Sequence, residues 1–241
     1  MTINTASVFC TIEGEVERKL IDSLEGPARA EAELRRLCAG RFGDAASAQV
    51  QRGLLLVRSL PSKEATHPSV EVYLSHPIRV ACFVTRLQSE PGVEALLTAL
   101  LHNVYEVTGL QESALVANGF DERLAQGVRL LTIDRRRETE PGYLLNFYSD
   151  IERFGESLSL IRCVDKWDNI LELELLEDDR ARTSYLDLAD RFVTPMAWRL
   201  SPEFGRYFEE TIAYIRPRPF RADLRRRYDS LIESRRTDAH A

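Results

Sequence analysis

At 241 residues, with 44% hydrophobic and 29% charged side chains, the chain has enough apolar material for a full core and is too apolar for a disordered polymer. No apolar run approaches the roughly 20 residues that span a bilayer, and the opening MTINTASVFCTIEGEVERK lacks the basic-then-apolar pattern of a secretory signal. The net charge of −6 disfavours nucleic acid as the main partner, although residues 216–241 carry eight arginines against four acids, a local +4 that leaves −10 on the rest.

Taken in chain order, the elements are helical. Residues 14–50 read as one or two amphipathic helices with a charged face. The stretch 61–75 reads as non-helical, after which Ser75-His76-Pro77 opens a helix, because serine caps well and proline is tolerated in a first turn. Val93, Leu96, Leu97, Leu100 and Leu101 follow the i, i+3, i+4, i+7, i+8 stripe of a helix packed on a core. Asn118-Gly119 reads as a helix end, and Leu124, Val128 and Leu131 mark the next helix. A polar loop covers 134–142. Leu160, Ile161, Val164, Trp167, Leu171 and Leu175 then predict one long helix ending in the acids Glu177-Asp178-Asp179. The pattern is helical again at 185–200 and 205–215, and 216–220 breaks it before a basic terminal helix.

The expected fold class is therefore all-α. We expect an N-terminal helical extension over 1–49, a main domain over 50–215, and a basic C-terminal helix or tail over 216–241. Cys10, Cys38, Cys82 and Cys163 are widely spaced with no CxxC pair, so neither a disulfide framework nor a zinc knuckle is expected, and a reducing cytoplasm fits best. Trp167 and Trp198 read as core, Cys163 as packing, and Asp168 as an exposed or helix-paired acid.

Four histidines occur: His67, His76, His102 and His240. His102 ends the apolar stripe of 93–101, where a core helix can present a ligand inward. Asn103 points about 100° further round, so both side chains can reach an ion between their directions, and Glu106 shares the face of His102. Asp165 sits among Ile161, Val164 and Trp167 and should point partly into the core, where a carboxylate is costly unless paired or bound to a cation. Asn169 follows on the same face. Arg162 and Lys166 are alternative ion-pair partners, so spacing alone leaves a metal site and a buried polar network both open.

These segments resemble a known family. The chain reads VYLSHPIRVA at 72–81, LTALLHNVYEV at 97–107 and IRCVDKWDNI at 161–170. It is similar in this to the HD-fold metal phosphohydrolases of the (p)ppGpp hydrolase branch, the Rel/SpoT-type hydrolase domains and their small stand-alone relatives. Their signatures are "PYIxHPxxVA", "AALLHDxxED" and "KLADRLHNM", and the run from Tyr185 through Pro195, Ala197 and Leu200 looks like their "iyaPlAhrLG" segment. The resemblance covers roughly residues 50–215 and implies an all-α HD-domain fold. It also implies a divalent metal, Mn²⁺ or another ion, on His76, His102, Asn103 and Asp165. By the same resemblance Glu106 would position or activate the attacking water, and Asn169 would lie against the nucleotide.

The departures are as specific as the matches. Asn103 stands where the family has the aspartate of its His-Asp pair, so one negative charge is lost; an amide oxygen still coordinates Mn²⁺ or Mg²⁺, but more weakly. Val107 replaces the second acid of the Glu-Asp pair. The basic residue expected some nine positions before His76 falls on His67, with Lys63 or Arg58 as substitutes, and Asp168 stands at a family histidine. Glu172 lies near the expected nucleotide pocket and would repel phosphates. Two functions follow as expectations. One is a metal-dependent phosphohydrolase acting on a nucleotide, with Glu106 and Asn103 catalytic and Asn169, His67 and Lys63 on the substrate. The other is a catalytically degenerate HD-fold module that binds a ligand or regulates a partner. No membrane partner is expected, and homo-oligomerisation stays open.

Overall fold

The computed structural model describes residues 2, 3, 5, 8–60 and 70–238, and among these no strand forms beyond a single bridge between Ile3 and Gln88. The fold is all-α. Three helices open it: α1 (Ile12–Glu25), α2 (Ala28–Arg41) and α3 (Gly43–Ser59). Thr11 caps α1 by accepting from the backbone N–H of Gly14. Val16, Leu34, Cys38, Val50 and Leu54 are buried in the same apolar cluster as the rest of the molecule. Residues 14–50 thus hold parts of three helices rather than one or two, and α3 runs without a break across position 50.

Next come α4 (Val70–Leu87), α5 (Val93–Leu101) and α6 (Val104–Thr108), then α7 (Glu112–Ala117), α8 (Glu122–Leu131) and α9 (Tyr143–Phe154). The start of α4 makes 70–75 helical and corrects the expectation that Ser75 caps a helix; residues 61–69 of the stretch read as non-helical lie outside the described residues. Ser75, His76 and Pro77 lie inside α4. Leu74 and Ile78, four apart and both fully buried, carry the apolar stripe upstream of the serine. The Ser75 hydroxyl donates instead to the backbone carbonyl of Asp22, a tertiary bond that local capping rules do not foresee. Asn118-Gly119 ends α7 as expected, with Gly119 in the left-handed region at φ 82°. The loop 134–142 holds one 3₁₀ turn, Arg135–Arg137.

The centre of the fold is α10 (Glu156–Ile170), which packs against α4, α5, α8 and α9. Of its fifteen residues only Glu156, Ser157, Lys166 and Asn169 escape full burial. A helix covered all round belongs in a core, yet this one carries Arg162, Asp165 and Asp168 inward. It stops at Ile170, short of the predicted Leu175. A 3₁₀ turn occupies Leu173–Leu175, and Asp178 opens α11 (Asp179–Leu188) by accepting from the N–H groups of Arg180 and Ala181. The acidic cluster therefore begins a helix rather than ending one, because carboxylates suit the positive N-terminal end of a helix.

A π-helical segment at Ala189–Val193 leads into α12 (Thr194–Leu200), just before Pro195, a residue that can close no helical bond from its own nitrogen. Ser201 caps α13 (Pro202–Ile215), and α14 (Ala222–Asp238) follows the break at 216–220. Both α12 and α13 pack against α10. Trp167 on α10 is fully buried as expected. Trp198 is not: it keeps 37% of its surface exposed and its indole N–H donates to Glu209, so the core assignment fails for that residue. All four cysteines are free. No described helix is long and apolar enough to cross a membrane.

The contact between α12 and α13 gives a stability test. A Cβ at Gly205 would fall 2.5 Å from the Trp198 ring and 2.8 Å from its Cα, whereas one at the exposed Gly40 of α2 would meet nothing. Gly205→Ala should lower stability by about 1–3 kcal/mol through overpacking, despite the better helix propensity of alanine. Gly40→Ala should be neutral or raise it by up to about 1 kcal/mol. Thermal unfolding of both variants checks the pair.

Candidate metal centre

Three side chains from three helices meet at one point. His76 comes from the second turn of α4, His102 from the C-terminal end of α5, and Asp165 from the middle of α10. His76 Nε2 lies 3.2 Å from His102 Nε2 and 3.2 Å from Asp165 Oδ1, and His102 Nε2 lies 3.5 Å from that oxygen. It is the one His/Cys/Asp/Glu group among the described residues whose ligand atoms gather closely enough for an ion.

The opposite nitrogens of both rings explain their orientation. His102 Nδ1 lies 2.8 Å from the backbone carbonyl of Ala99, which can only accept, so Nδ1 carries the proton. His76 Nδ1 lies 2.8 Å from the carboxylate of Asp168 and donates to it, while its Nε2 faces Asp165. Two Nε2 atoms and a carboxylate oxygen therefore converge. Around an ion with bonds of about 2.1 Å, neighbouring ligand atoms sit roughly 3.0 Å apart in an octahedron and about 3.4 Å apart in a tetrahedron. The observed 3.2, 3.2 and 3.5 Å are close to such spacings, so the three groups could hold an ion. Two imidazoles with a carboxylate suit a first-row divalent metal.

Asp165 is buried, and its second oxygen accepts from Arg162 at 3.0 Å with Lys166 at 3.7 Å, while Asn169 donates to Oδ1 at 2.9 Å. Burial alone would raise this carboxyl, but Lys166, the two imidazoles and Arg162 together hold it well below the usual carboxylate range. Lys166 is itself pushed down to about 8 by burial and the like charge of Arg162, against the opposing pull of Asp165. Burial likewise opposes a charged His76, yet its hydrogen bonds to Asp165 and Asp168 outweigh that and raise it.

The expectation for Asp168 is corrected. It is neither exposed nor paired along its own helix but fully buried, with Oδ2 2.7 Å from Lys19 Nζ and Oδ1 2.8 Å from Arg79 Nε. Arg79 also donates to Asp22. Lys19 and Asp22 both stand on α1, so the N-terminal helix reaches the back of His76. The Lys19 and Asp22 signals were present only as ordinary charged positions on an amphipathic helix, and no sequence spacing marks their partners.

A cavity of about 170 Å³ opens in front of the triad, lined by Asn103, Glu106, Val107, Arg135 and Asn169 among others. Asn103 sits where the chain breaks between α5 and α6, beside His102. Glu106 reaches the cavity, but its carboxylate pairs with Arg135 at 3.0 Å. Arg135 was missed by the sequence reading, since the loop 134–142 showed only polarity. Val107 is buried against the cavity with no acid in its place. Glu172 lines the cavity too and pairs with Lys19 at 3.3 Å. Arg58 is committed to Glu31 at 2.7 Å, and His67 and Lys63 lie outside the described residues.

No protein-family model matches the chain. Among curated proteins it is 28% identical over 139 residues to the bifunctional (p)ppGpp synthase/hydrolase SpoT of Escherichia coli K12. The same identity holds for proteins of Escherichia coli O157:H7 and Shigella flexneri named guanosine-3′,5′-bis(diphosphate) 3′-pyrophosphohydrolase. The relationship is a distant one to proteins named as hydrolases of (p)ppGpp. The match takes in 56% of this chain but only 19% of each relative, so the chain spans about a fifth of the proteins it matches.

The two kinds of ion pair around the site should differ in weight. Arg79 is buried between Asp22 and Asp168, whereas Arg135 keeps 62% of its side chain exposed beside Glu106. Arg79→Met should cost about 3 kcal/mol by stranding buried carboxylates. Arg135→Ala should cost less than about 1 kcal/mol. Urea unfolding of the two variants measures the difference.

Proposed function

We propose that this protein is a divalent-metal-dependent phosphohydrolase acting on a nucleotide, related in chemistry to (p)ppGpp 3′-pyrophosphohydrolases. The observation that carries the reading is the convergence of His76 Nε2, His102 Nε2 and Asp165 Oδ1 at ligand spacing. In this reading they hold the ion with the amide oxygen of Asn103. A bound ion of this kind polarises a phosphate oxygen and activates water. Glu106 orients the water, and its pairing with Arg135 sets where the carboxylate points. Arg135 and Lys166 offer positive charge to the phosphate oxygens, and Asn169 holds Asp165 while facing the cavity. His67 or Lys63 would extend the substrate side. The cavity suits a phosphate group with its ion and waters, being smaller than the roughly 300 Å³ at which pockets begin to enclose a whole organic ligand. The similarity to proteins named as (p)ppGpp hydrolases supports the substrate class.

A second reading, a ligand-binding or regulatory module without turnover, draws on particular positions. Asn103 and Val107 are neutral where the resembled family has carboxylates, and Arg135 already engages the acid that remains. A metal site short of one charge binds its ion less tightly.

The test pairs binding with turnover. Calorimetric titration with Mn²⁺ should show tighter binding for Asn103→Asp than for the parent, and weakening by about tenfold or more for His102→Ala. Unchanged affinity in both variants removes the proposed site. Incubation with Mn²⁺ and a panel of (p)ppGpp, nucleoside di- and triphosphates and NADPH should release pyrophosphate or phosphate from at least one of them. Mn²⁺ binding without release from any substrate selects the second reading.

A further inference from the structure

We infer that Asp168 is a positioning residue for the metal centre: it holds the Nδ1 proton of His76 so that Nε2 faces the ion, while Lys19 of α1 and Arg79 of α4 balance its buried charge. The inference rests on the metal reading above and extends it to groups that touch neither ion nor cavity.

The geometry is closed on every side. Asp168 Oδ2 takes both His76 Nδ1 at 2.8 Å and Lys19 Nζ at 2.7 Å, while Oδ1 takes Arg79 Nε at 2.8 Å. An ionised carboxylate accepts and never donates, so these contacts keep a proton on Nδ1 and leave Nε2, which faces Asp165 at 3.2 Å, as the nitrogen a metal ion can take. A carboxylate behind a histidine ligand also raises the basicity of the ring, and losing such a partner commonly costs 10- to 100-fold in metal affinity. Asp168 could in principle serve only to neutralise Lys19 and Arg79, but a mere counter-ion has no need of the ring. Here His76 shares the oxygen that Lys19 uses. The carboxylate that Asn103 removes from beside the ion is thus partly offset by one that acts on the ion through imidazole.

An amide at 168 separates the two roles. Arg79 Nε–H requires an acceptor, so an asparagine would turn its oxygen to Arg79 and its NH₂ to His76. That NH₂ donates to Nδ1 and drives the ring proton onto Nε2, where it blocks ligation, the same tautomer error that a carboxylate-to-amide change causes in a Ser-His-Asp triad. Removing Lys19 together with the Asp168 charge keeps the buried charge balanced.

Three full-length proteins are compared: the parent, Lys19→Met, and Lys19→Met/Asp168→Asn. The probes are Mn²⁺ alone, followed by calorimetry, and ¹⁵N NMR of the histidine rings in the metal-free proteins. His76 should carry a proton on Nδ1 in the parent and in Lys19→Met, with Mn²⁺ affinities within a few-fold of each other. In the double variant the proton should leave Nδ1 for Nε2, and Mn²⁺ affinity should fall 10- to 100-fold below that of Lys19→Met. A double variant that keeps its Nδ1 proton and the affinity of Lys19→Met overturns the inference. Should the double variant fail to fold, the parent spectrum decides, because a His76 without a proton on Nδ1 overturns it equally. A parent that binds no Mn²⁺ refutes the metal reading, and the tautomer comparison then stands by itself as the test of Asp168.

Discussion

Two carboxylates three residues apart, Asp165 and Asp168, are carried into the interior on a helix that is covered on nearly every side. A buried carboxylate is tolerated only where cations and donors meet it, since the solvation it gives up is worth several kcal/mol. The arrangement of the surrounding helices follows from that demand. Helix α1 contributes Lys19, α4 contributes His76 and Arg79, α5 contributes His102, and α10 adds Arg162 and Lys166 from its own surface. An apolar core of this size would hold the helices together without them, but it would not fix which residues face each other.

The two acids are treated differently, and the difference gives the site its direction. Asp168 is enclosed by Lys19, Arg79 and His76, with no side left toward the cavity. Asp165 spends one oxygen on Arg162 and presents the other to two imidazole nitrogens at the cavity wall. The inner acid orients and the outer acid is available to bind. Charge is correspondingly scarce around the outer acid, where Asn103 and Val107 contribute none and Glu106 is shared with Arg135. Such a centre has the donors of a metal site with a single carboxylate among its convergent atoms.

Periodicity and spacing determined a good deal about this chain by themselves. The apolar stripes at 93–101 and 124–131 specified helices, and the placing of His102 at the end of one stripe and Asp165 inside another pointed both toward the core, where the structure brings them together with His76. The four-residue step from Asp165 to Asn169 was likewise legible, because a helix puts such pairs on one face, and the two are hydrogen-bonded. What sequence could not supply was the partner across a helix–helix contact. Asp168 looked like an exposed or helix-paired acid until Lys19, 149 residues away, proved to be its counter-ion. Ser75 looked like a cap until its hydroxyl bonded α1, and Trp198 looked like core until α13 left one side of it open. Local pattern reports which way a side chain faces along its own helix. Only the packing of one helix on another decides what stands opposite, and for a buried charge that neighbour determines whether it is a structural pair, a ligand or the support of one.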